Sequence, residues 1–381
     1  MKIVILTTDN RNHDRDYTAS QPRFGTAPAA LLQGFALWPE AEVHVVACVR
    51  SPVVSPEKIA PNIFYHSLLV PKLGWLRTGY LGCIRAVRQK LRELQPDLVH
   101  GQGTELDCAI SAVFSGFPNV VTVHGNMRSV ARVNHARPFS FNWLAARLES
   151  FTLPRANGVV CITNYTRNAV QDLARQTWLL PNAVDASFFD APATPAPDAI
   201  PVVLCVGTVC RLKNQNALIR ALDPLTEQKK FKLVFLGHTD AGDYGAEFLR
   251  LVSARAWCEH AGFAGRERLK EHFRSATALV LPTLEDNCPM VVLEAMAAGV
   301  PVLASRIGGV PDLIEPEQTG LFGDPQCPET FRVGMARLLA DRDFSRRLAA
   351  NARVEAMRRF HPRVIAQRHL EIYREVLAVK A

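Results

Sequence analysis

Short unbroken apolar runs recur along the chain and alternate with longer segments of helical periodicity. In the first half they fall at Lys2–Thr7, Val43–Cys48, Asp97–His100, Val120–Val123, Gly158–Ile162 and Trp178–Leu180. A second series begins at Pro201 (PVVLCVGT) and continues near Lys232–Gly237, Gly262–Ala264, Ala278–Leu281 and Pro301–Ala304. Runs without polar alternation predict strands buried on both faces, and strand–helix alternation predicts parallel, doubly wound α/β sheets. Between the two series lies 191–200 (APATPAPDAI), rich in Ala and Pro and without periodicity, which reads as a linker. The expected domains are 1–190 and 200–359. A closing helical segment, 360–381, follows them. Two such sheets in tandem would place a cleft between their strand ends, and ligands of open α/β sheets bind outside the carboxyl ends of the strands.

The densest chemistry lies between Leu279 and Pro325. It predicts a buried strand (278–281), a tight loop (284–288), a helix (Pro289–Ala298) and a second buried strand. Pro289 suits the first helical position and Gly299 a left-handed stop. The helix would start at the carboxyl end of a parallel strand. Its free N–H groups, around Met290 and Val291, would then face the crevice, a ready anion site. Asp286 precedes this helix, and Glu294 lies inside the otherwise apolar run PMVVLEAMAAGV. Carboxylates around a phosphate-ready helix start suit a ligand that carries both sugar hydroxyls and phosphates.

These residues resemble the donor-binding segment of retaining glycosyltransferases of family 4, which have the GT-B fold. That segment has two acids separated by seven residues, then Ala-Met-Ala-x-Gly-x-Pro-Val and a Gly-Gly-x-Pro loop. Here stand Asp286, then Glu294, Ala295, Met296, Ala297, Gly299, Pro301 and Val302, with Gly308-Gly309-Val310-Pro311 after them. The resemblance implies two Rossmann-like domains facing a central cleft, with 360–381 crossing back onto the first. It implies that Glu294 takes the ribose hydroxyls of a nucleotide-sugar donor. The family has Glu at the first acid, so either Asp286 or the adjacent Glu285 could hold the sugar.

The loop after the strand at Pro201 carries Arg211 and Lys213, able to hold a diphosphate by a bidentate fork and a point charge. It is similar to the family's Gly-Arg…Lys-Asn segment. Lys213 and Asn214 are in register, while Thr208 occupies the family's Arg position. By the same resemblance His124, closing VVTVHG, orients the sugar and stabilises the reacting centre. Gly25, ahead of an apolar helix expected at Ala29–Leu37, lets backbone approach a phosphate where the family has a Gly pair. Pro181-Asn182-Ala183-Val184-Asp185 is similar to a family turn and reads as structural. No GxGxxG argues for a nicotinamide or flavin cofactor, and no metal-ligand cluster is visible. Helix dipole and basic side chains would offset the leaving diphosphate instead.

Composition narrows the class. The 381 residues suit two domains, and nine scattered cysteines without a CxxC pair suit a reduced cytoplasmic protein. The first apolar run is too short for a signal peptide, and no stretch approaches the ~18–20 residues of a membrane span. The formal charge is +8. Two stretches of the first half lack acids altogether: 58–92, with Trp75 and Tyr80 among its basic residues, and 108–148. They suit an anionic partner or membrane surface, and a solvated basic helix face at Tyr80–Leu94 accounts for the first equally well. No nucleic-acid motif accompanies them. The expected activity is therefore a metal-independent retaining transfer of a hexose-type sugar to a saccharide or lipid-linked acceptor of envelope polysaccharide synthesis. The enzyme would be cytoplasmic and peripheral at the inner membrane face. A sugar-nucleotide epimerase on the same scaffold and a non-catalytic nucleotide-sugar-binding protein are the rivals. The epimerase would need further acid/base groups; the binding protein would have no need of His124 and the acids.

Overall fold

The apolar runs of the first half assemble into an eight-stranded sheet. Its strands are β1 (Lys2–Leu6), β2 (Glu42–Val49), β3 (Lys58–Ala60), β4 (Ile63–Leu69), β5 (Leu98–Gln102), β6 (Asn119–Val123), β7 (Gly158–Cys161) and β8 (Thr177–Leu179). Their spatial order is β3-β4-β2-β1-β5-β6-β7-β8. Neighbours run parallel except β3 and β4 at the edge. The second half forms a six-stranded parallel sheet of β9 (Val202–Val206), β10 (Lys232–Leu236), β11 (Cys258–Gly262), β12 (Ala278–Leu281), β13 (Val302–Ser305) and β14 (Leu321–Gly323), ordered β11-β10-β9-β12-β13-β14. The structure is a computed structural model that describes residues 1–196 and 199–379. The chain divides into two units, Met1–Ala183 with everything from His361 onward, and Val184–Phe360.

Both faces of each sheet are covered, which is why the strands read as continuous apolar runs. In β1, Ile3 and Ile5 pack with Leu31 and Phe35 of the helix Thr26–Ala36 and with Ile365, Leu370 and Tyr373 of the helix Pro362–Ala378. The alternate residues Val4 and Leu6 face Cys83, Val87 and Leu91 of the helix Leu81–Leu94. The closing helix and the helix at Thr26 nearly touch at Gly34, where a Cβ would stand 2.2 Å from the Pro362 carbonyl oxygen.

Several expectations shift. The unit boundary precedes the Ala/Pro-rich stretch, two of whose residues, Pro197 and Asp198, lie outside the described residues, as do Lys380 and Ala381 of the closing segment. Residues 184–190 belong with the second unit. Val184 N–H donates to the Phe360 carbonyl at 2.9 Å, and Asp185 is paired with Arg266. The strand expected at Gly262–Ala264 forms at Cys258–Gly262, an edge strand whose half-exposed residues give no apolar run. The three-residue strands β3 and β14 lie at sheet edges, and β4, next to an edge, interrupts its apolar residues with His66 and Ser67; none of the three was anticipated. The first long helix begins at Thr26, three residues earlier than expected, with Pro28 in its first turn, where Pro is tolerated. Trp75, expected to meet a membrane, is only 9% exposed. Its indole N–H donates to the Val70 carbonyl at 3.2 Å, and Arg50 and Tyr80 cover the ring. No helix among the described residues is long and apolar enough to cross a membrane.

Candidate active site

In the second unit the site is built by two loops stapled together. Lys213 ends a 3₁₀ turn (Arg211–Lys213) that follows β9, and Asp286 lies in the loop that follows β12. Leu284 N–H donates to the Leu212 carbonyl at 2.8 Å, and the Thr283 hydroxyl donates to the carbonyls of Leu212 (3.1 Å) and Glu285 (2.8 Å). A third loop locks the second in place, since Gly309 N–H donates to the Asp286 carbonyl at 3.0 Å. That contact requires glycine at the preceding residue. Gly308 has φ +57°, and a Cβ there would stand 2.0 Å from the Asp286 carbonyl oxygen. The Gly-Gly-x-Pro sequence is thus what fixes the acidic loop.

The result brings Lys213 and Asp286 into an ion pair, Nζ donating to the carboxylate. Glu285, next to it in the chain, is half-buried. Arg211 is exposed on the same turn, without a side-chain hydrogen bond or ion pair among the described residues. The helix after the acidic loop spans Met290–Ala297, with Pro289 as its cap residue (ψ 110°), one residue later than expected. It stops at Gly299 (φ +68°), where Gly299 N–H donates to Met296 and Val300 N–H to Ala295, the paired bonds of a Schellman ending. Met290 and Val291 open the helix, half-buried.

Glu294 sits in that helix at 6% exposure. Burial pushes its carboxyl up to about 7, with nearby Arg266 opposing and Asp185 reinforcing the rise. Arg266 is held 2.5 Å from the Asp185 carboxylate, so its charge is already partnered. No protein donor reaches the Glu294 carboxylate among the described residues. A buried acceptor left in that state suits hydroxyl donors from a ligand.

In the first unit, His124 stands just beyond β6 and Gly125–Asn126 lead into the helix Met127–Val133, which Asn126 caps through Ser129 N–H at 2.6 Å. His124 Nε2 is 2.8 Å from Gln102 Oε1, and Asn182 also hydrogen-bonds to the ring. Burial lowers this imidazole to about 4, so it is neutral at physiological pH. Glu105 accepts from Gly125 N–H at 2.8 Å, and Glu149, fully buried, accepts from Thr104 Oγ1 and from the Met127 and Arg128 N–H groups. Burial raises both carboxyls. Gly25 caps the helix at Thr26 with φ −57°, and a Cβ there would make only an ordinary 3.6 Å contact with Pro28. Nothing in the fold demands glycine at that position, whereas close approach of a ligand would.

Sequence reasoning missed Gln102, Asn182, Asp185, Arg266 and Glu105. Gln102 lies two residues past the point where the strand at 97–100 was expected to stop, and Asn182 and Asp185 sit in the turn read as structural. One set of potential metal ligands does come together among the described residues: Cys48, Cys83 and Asp107, buried, with ligand atoms within 4.8 Å of one another. The Cys83 thiol and burial hold Cys48 well above the ordinary thiol range, and burial raises Asp107. Cys48 hydrogen-bonds with Cys83 and with Asp107.

Comparison with known proteins decides the class. A model described as glycosyl transferases group 1 matches residues 188–355, and one described as glycosyltransferase family 4 matches 38–188. The chain belongs to the group 1 glycosyltransferases. This glycosyltransferase is 31% identical to an uncharacterized glycosyltransferase of Methanocaldococcus jannaschii over 45% of its own length and 44% of the relative's. It is 26% identical to the alpha-maltose-1-phosphate synthase of Mycolicibacterium smegmatis over 73% and 78% of the two chains. It is 28% identical to the D-inositol 3-phosphate glycosyltransferase of Xylanimonas cellulosilytica over 55% of each. The first and third of these matches thus span about half of those relatives. Among solved structures, sucrose-phosphate synthase of Thermosynechococcus elongatus superposes with TM-score 0.79 at 21% identity, covering 100% of both chains. Anabaena HepE in complex with UDP-glucose gives 0.70 at 18%, covering 98% of this chain and 100% of that one. These likenesses identify the fold as GT-B.

Proposed function

We propose that this glycosyltransferase is a retaining, metal-independent hexosyltransferase that uses a nucleoside-diphosphate sugar. The observation that carries the reading is Glu294: a buried carboxyl raised toward neutrality, without a protein donor, on the helix whose first residues follow the Lys213–Asp286 loops. Glu294 accepts both ribose hydroxyls of the donor. Asp286, or Glu285 beside it, holds the sugar hydroxyls. Lys213, Arg211 and the N–H groups of Met290 and Val291 take the diphosphate and stabilise the charge that develops on it. His124, neutral, serves sugar orientation and the reacting centre, and Gly25 gives the donor phosphates close access to backbone. UDP-glucose, bound by HepE, belongs to the same donor class.

The acceptor is anionic or membrane-held. Leu81, Arg85, Arg88 and Arg92 recur at helical spacing along one exposed stripe of the helix Leu81–Leu94, next to Leu73, itself 78% exposed. Exposed Phe139 and Phe141 stand among Arg132, Arg137 and Arg147 in the second acid-free stretch. Two relatives are named for inositol 3-phosphate and maltose-1-phosphate, which fits a negatively charged acceptor or product.

Incubation with a panel of nucleotide sugars, followed by proton NMR of the sugar released, tests the reading without an acceptor. Slow hydrolysis with the anomeric configuration retained is expected. Inverted product would overturn the retaining assignment, an epimerised sugar nucleotide would favour the epimerase, and a panel left intact and unbound would remove the donor class.

A further inference from the structure

In the first unit, on the sheet face that packs against the helix Leu81–Leu94, two thiols and a carboxyl converge. Cys48 is the next-to-last residue of β2, Cys83 lies in the first turn of that helix, and Asp107 opens the helix Asp107–Val113. The two cysteines stand in an apolar cluster with Val4, Leu6, Val46 and Val87. The ligand atoms of the three residues all lie within 4.8 Å of one another, and none of the residues is more than 6% exposed. They stand too far apart in the chain to form a short motif, so no local pattern marks them.

Buried carboxyls are ordinarily paired with a cation or coordinate a metal. Asp107 has no ion pair among the described residues. It bonds to the Cys48 thiol and to its own N–H, and the charge of Arg50 acts on it from beyond ion-pair distance. Two cysteine sulfurs with a carboxylate oxygen are a donor set that zinc takes. Tetrahedral zinc, with bonds of ~2.3 Å to sulfur and ~2.0–2.2 Å to oxygen, spaces its ligand atoms roughly 3.5–3.8 Å apart. Side-chain movement on the order of 1 Å therefore brings all three atoms onto one ion. Binding would release the two thiol protons to solvent. Two thiolates and a carboxylate around a dication leave one negative charge, with Arg50 as the neighbouring cation, and water takes the fourth position.

We propose that Cys48, Cys83 and Asp107 form a zinc site that ties the start of the helix Leu81–Leu94 to β2 and to the helix at Asp107. That start is the least regular entry to a long helix in the first unit. The chain reaches it through two 3₁₀ turns, Lys72–Gly74 and Leu76–Thr78, and then through Gly79 and Tyr80, both left-handed at φ 60° and 62°. A left-handed Tyr is uncommon and persists where its surroundings hold it. Tyr80 is buried, close enough to Asp107 and Cys83 for both to act on its phenol, so the ion would brace this turn as well. The helix so held carries the exposed stripe of Leu81, Arg85, Arg88 and Arg92. Lys213, Asp286 and Glu294 belong to the other unit, so the ion is a brace and not a part of the donor site.

The full chain, purified under reducing conditions and stripped with a chelator, is given Zn²⁺ or Co²⁺ and passed through gel filtration. One tightly held zinc per chain by plasma mass spectrometry, a higher unfolding temperature with zinc, and sulfur-to-cobalt charge-transfer absorption with tetrahedral ligand-field bands are expected. Cys48→Ser and Cys83→Ser should each lower zinc affinity by more than about a hundredfold, beyond the 10–100-fold that loss of an outer-shell partner costs. Each should also remove one thiolate's share of the charge-transfer band. Asp107→Asn should weaken binding and keep that band, and Cys161→Ala, a buried thiol in a different cluster, should change neither. The measurements on the parent stand whether or not a variant folds. A parent that retains no zinc and shows no sulfur-to-cobalt band overturns the proposal. So does a band of undiminished intensity in both Cys48→Ser and Cys83→Ser, which would put the ion on other thiols.

Discussion

Replacing Glu294 by Gln should stabilise this protein while impairing it. The carboxyl is raised from 4.5 to about 7 by burial, and each unit corresponds to about 1.36 kcal/mol. A carboxyl whose folded pKa exceeds its unfolded one binds its proton more tightly in the native state. Stability is therefore fullest below pH ~4.5, declines as pH rises toward 7, and levels off above, for a total on the order of 3 kcal/mol. Gln keeps the size and loses the titration. The variant's stability relative to the parent should thus rise by roughly 2–3 kcal/mol between pH 5 and pH 8, read as the difference in denaturation midpoints measured across that range. A difference that does not change with pH would mean that Glu294 carries no buried charge, and the reasoning would fail. Function should move the other way. Ribose hydroxyls donate to the ionised carboxylate, so the affinity of the parent for its nucleoside diphosphate should strengthen as pH rises through 7, by at most about tenfold per unit. The Gln variant reports the diphosphate's own titration and serves as the control. Glu294→Ala should lose two charge-assisted bonds of roughly 1.5–3 kcal/mol each, at least a hundredfold in affinity by calorimetry.

Asp286→Asn should lower turnover more than Glu285→Gln, because Asp286 is the acid paired with Lys213 and held by Gly309; the opposite ranking in steady-state assays would move the sugar contact to Glu285. Activity should survive EDTA, and a loss reversed by adding back Mg²⁺ or Mn²⁺ would defeat the metal-independent reading. Binding to anionic vesicles should fall steeply with salt, since exposed charges are screened beyond ~8 Å at physiological ionic strength, and should weaken when Arg85, Arg88 and Arg92 become Ser together. Sedimentation that ignores both changes would leave those residues as a solvated face.

Legibility followed burial. The central strands of both sheets could be read from the chain because both faces pack, so every position must be apolar and the run stands out. Peripheral strands were harder to read: β11 has no buried residue, β3 and β14 span three residues each, and β4 lies next to an edge, whereas the edge strand β8 was anticipated within one residue. The site divides similarly. Glu294 was conspicuous as an acid in an apolar helix, and Lys213 through its family register. Gln102, Asn182 and Arg266 act through partners at 22, 58 and 81 residues' separation (His124, His124 and Asp185), and separation of that kind leaves no local pattern. Trp75 shows how composition misleads. A Trp within a basic stretch suggests an interface, yet its indole is satisfied and covered, and the exposed apolar residues of that stretch are Leu69, Leu73 and Leu81.

The Lys213–Asp286 pair carries the physical account one step beyond the roles read from each residue alone. Sequence assigns the lysine to the diphosphate and the acid to the sugar, as independent contacts. The structure makes each the counterion of the other. A diphosphate offers Lys213 more negative charge than one carboxylate does, and the lysine's flexible stem lets it turn toward that charge. Asp286 then loses the donor that occupied one of its carboxylate oxygens, and its carbonyl stays fixed by Gly309, so the loop keeps its place. On that reading, arrival of the phosphates frees the Asp286 oxygen that Lys213 occupied for a sugar hydroxyl. On the proposed reading, the pair couples the two halves of donor recognition: phosphate binding draws Lys213 away and strengthens the grip of Asp286 on the sugar.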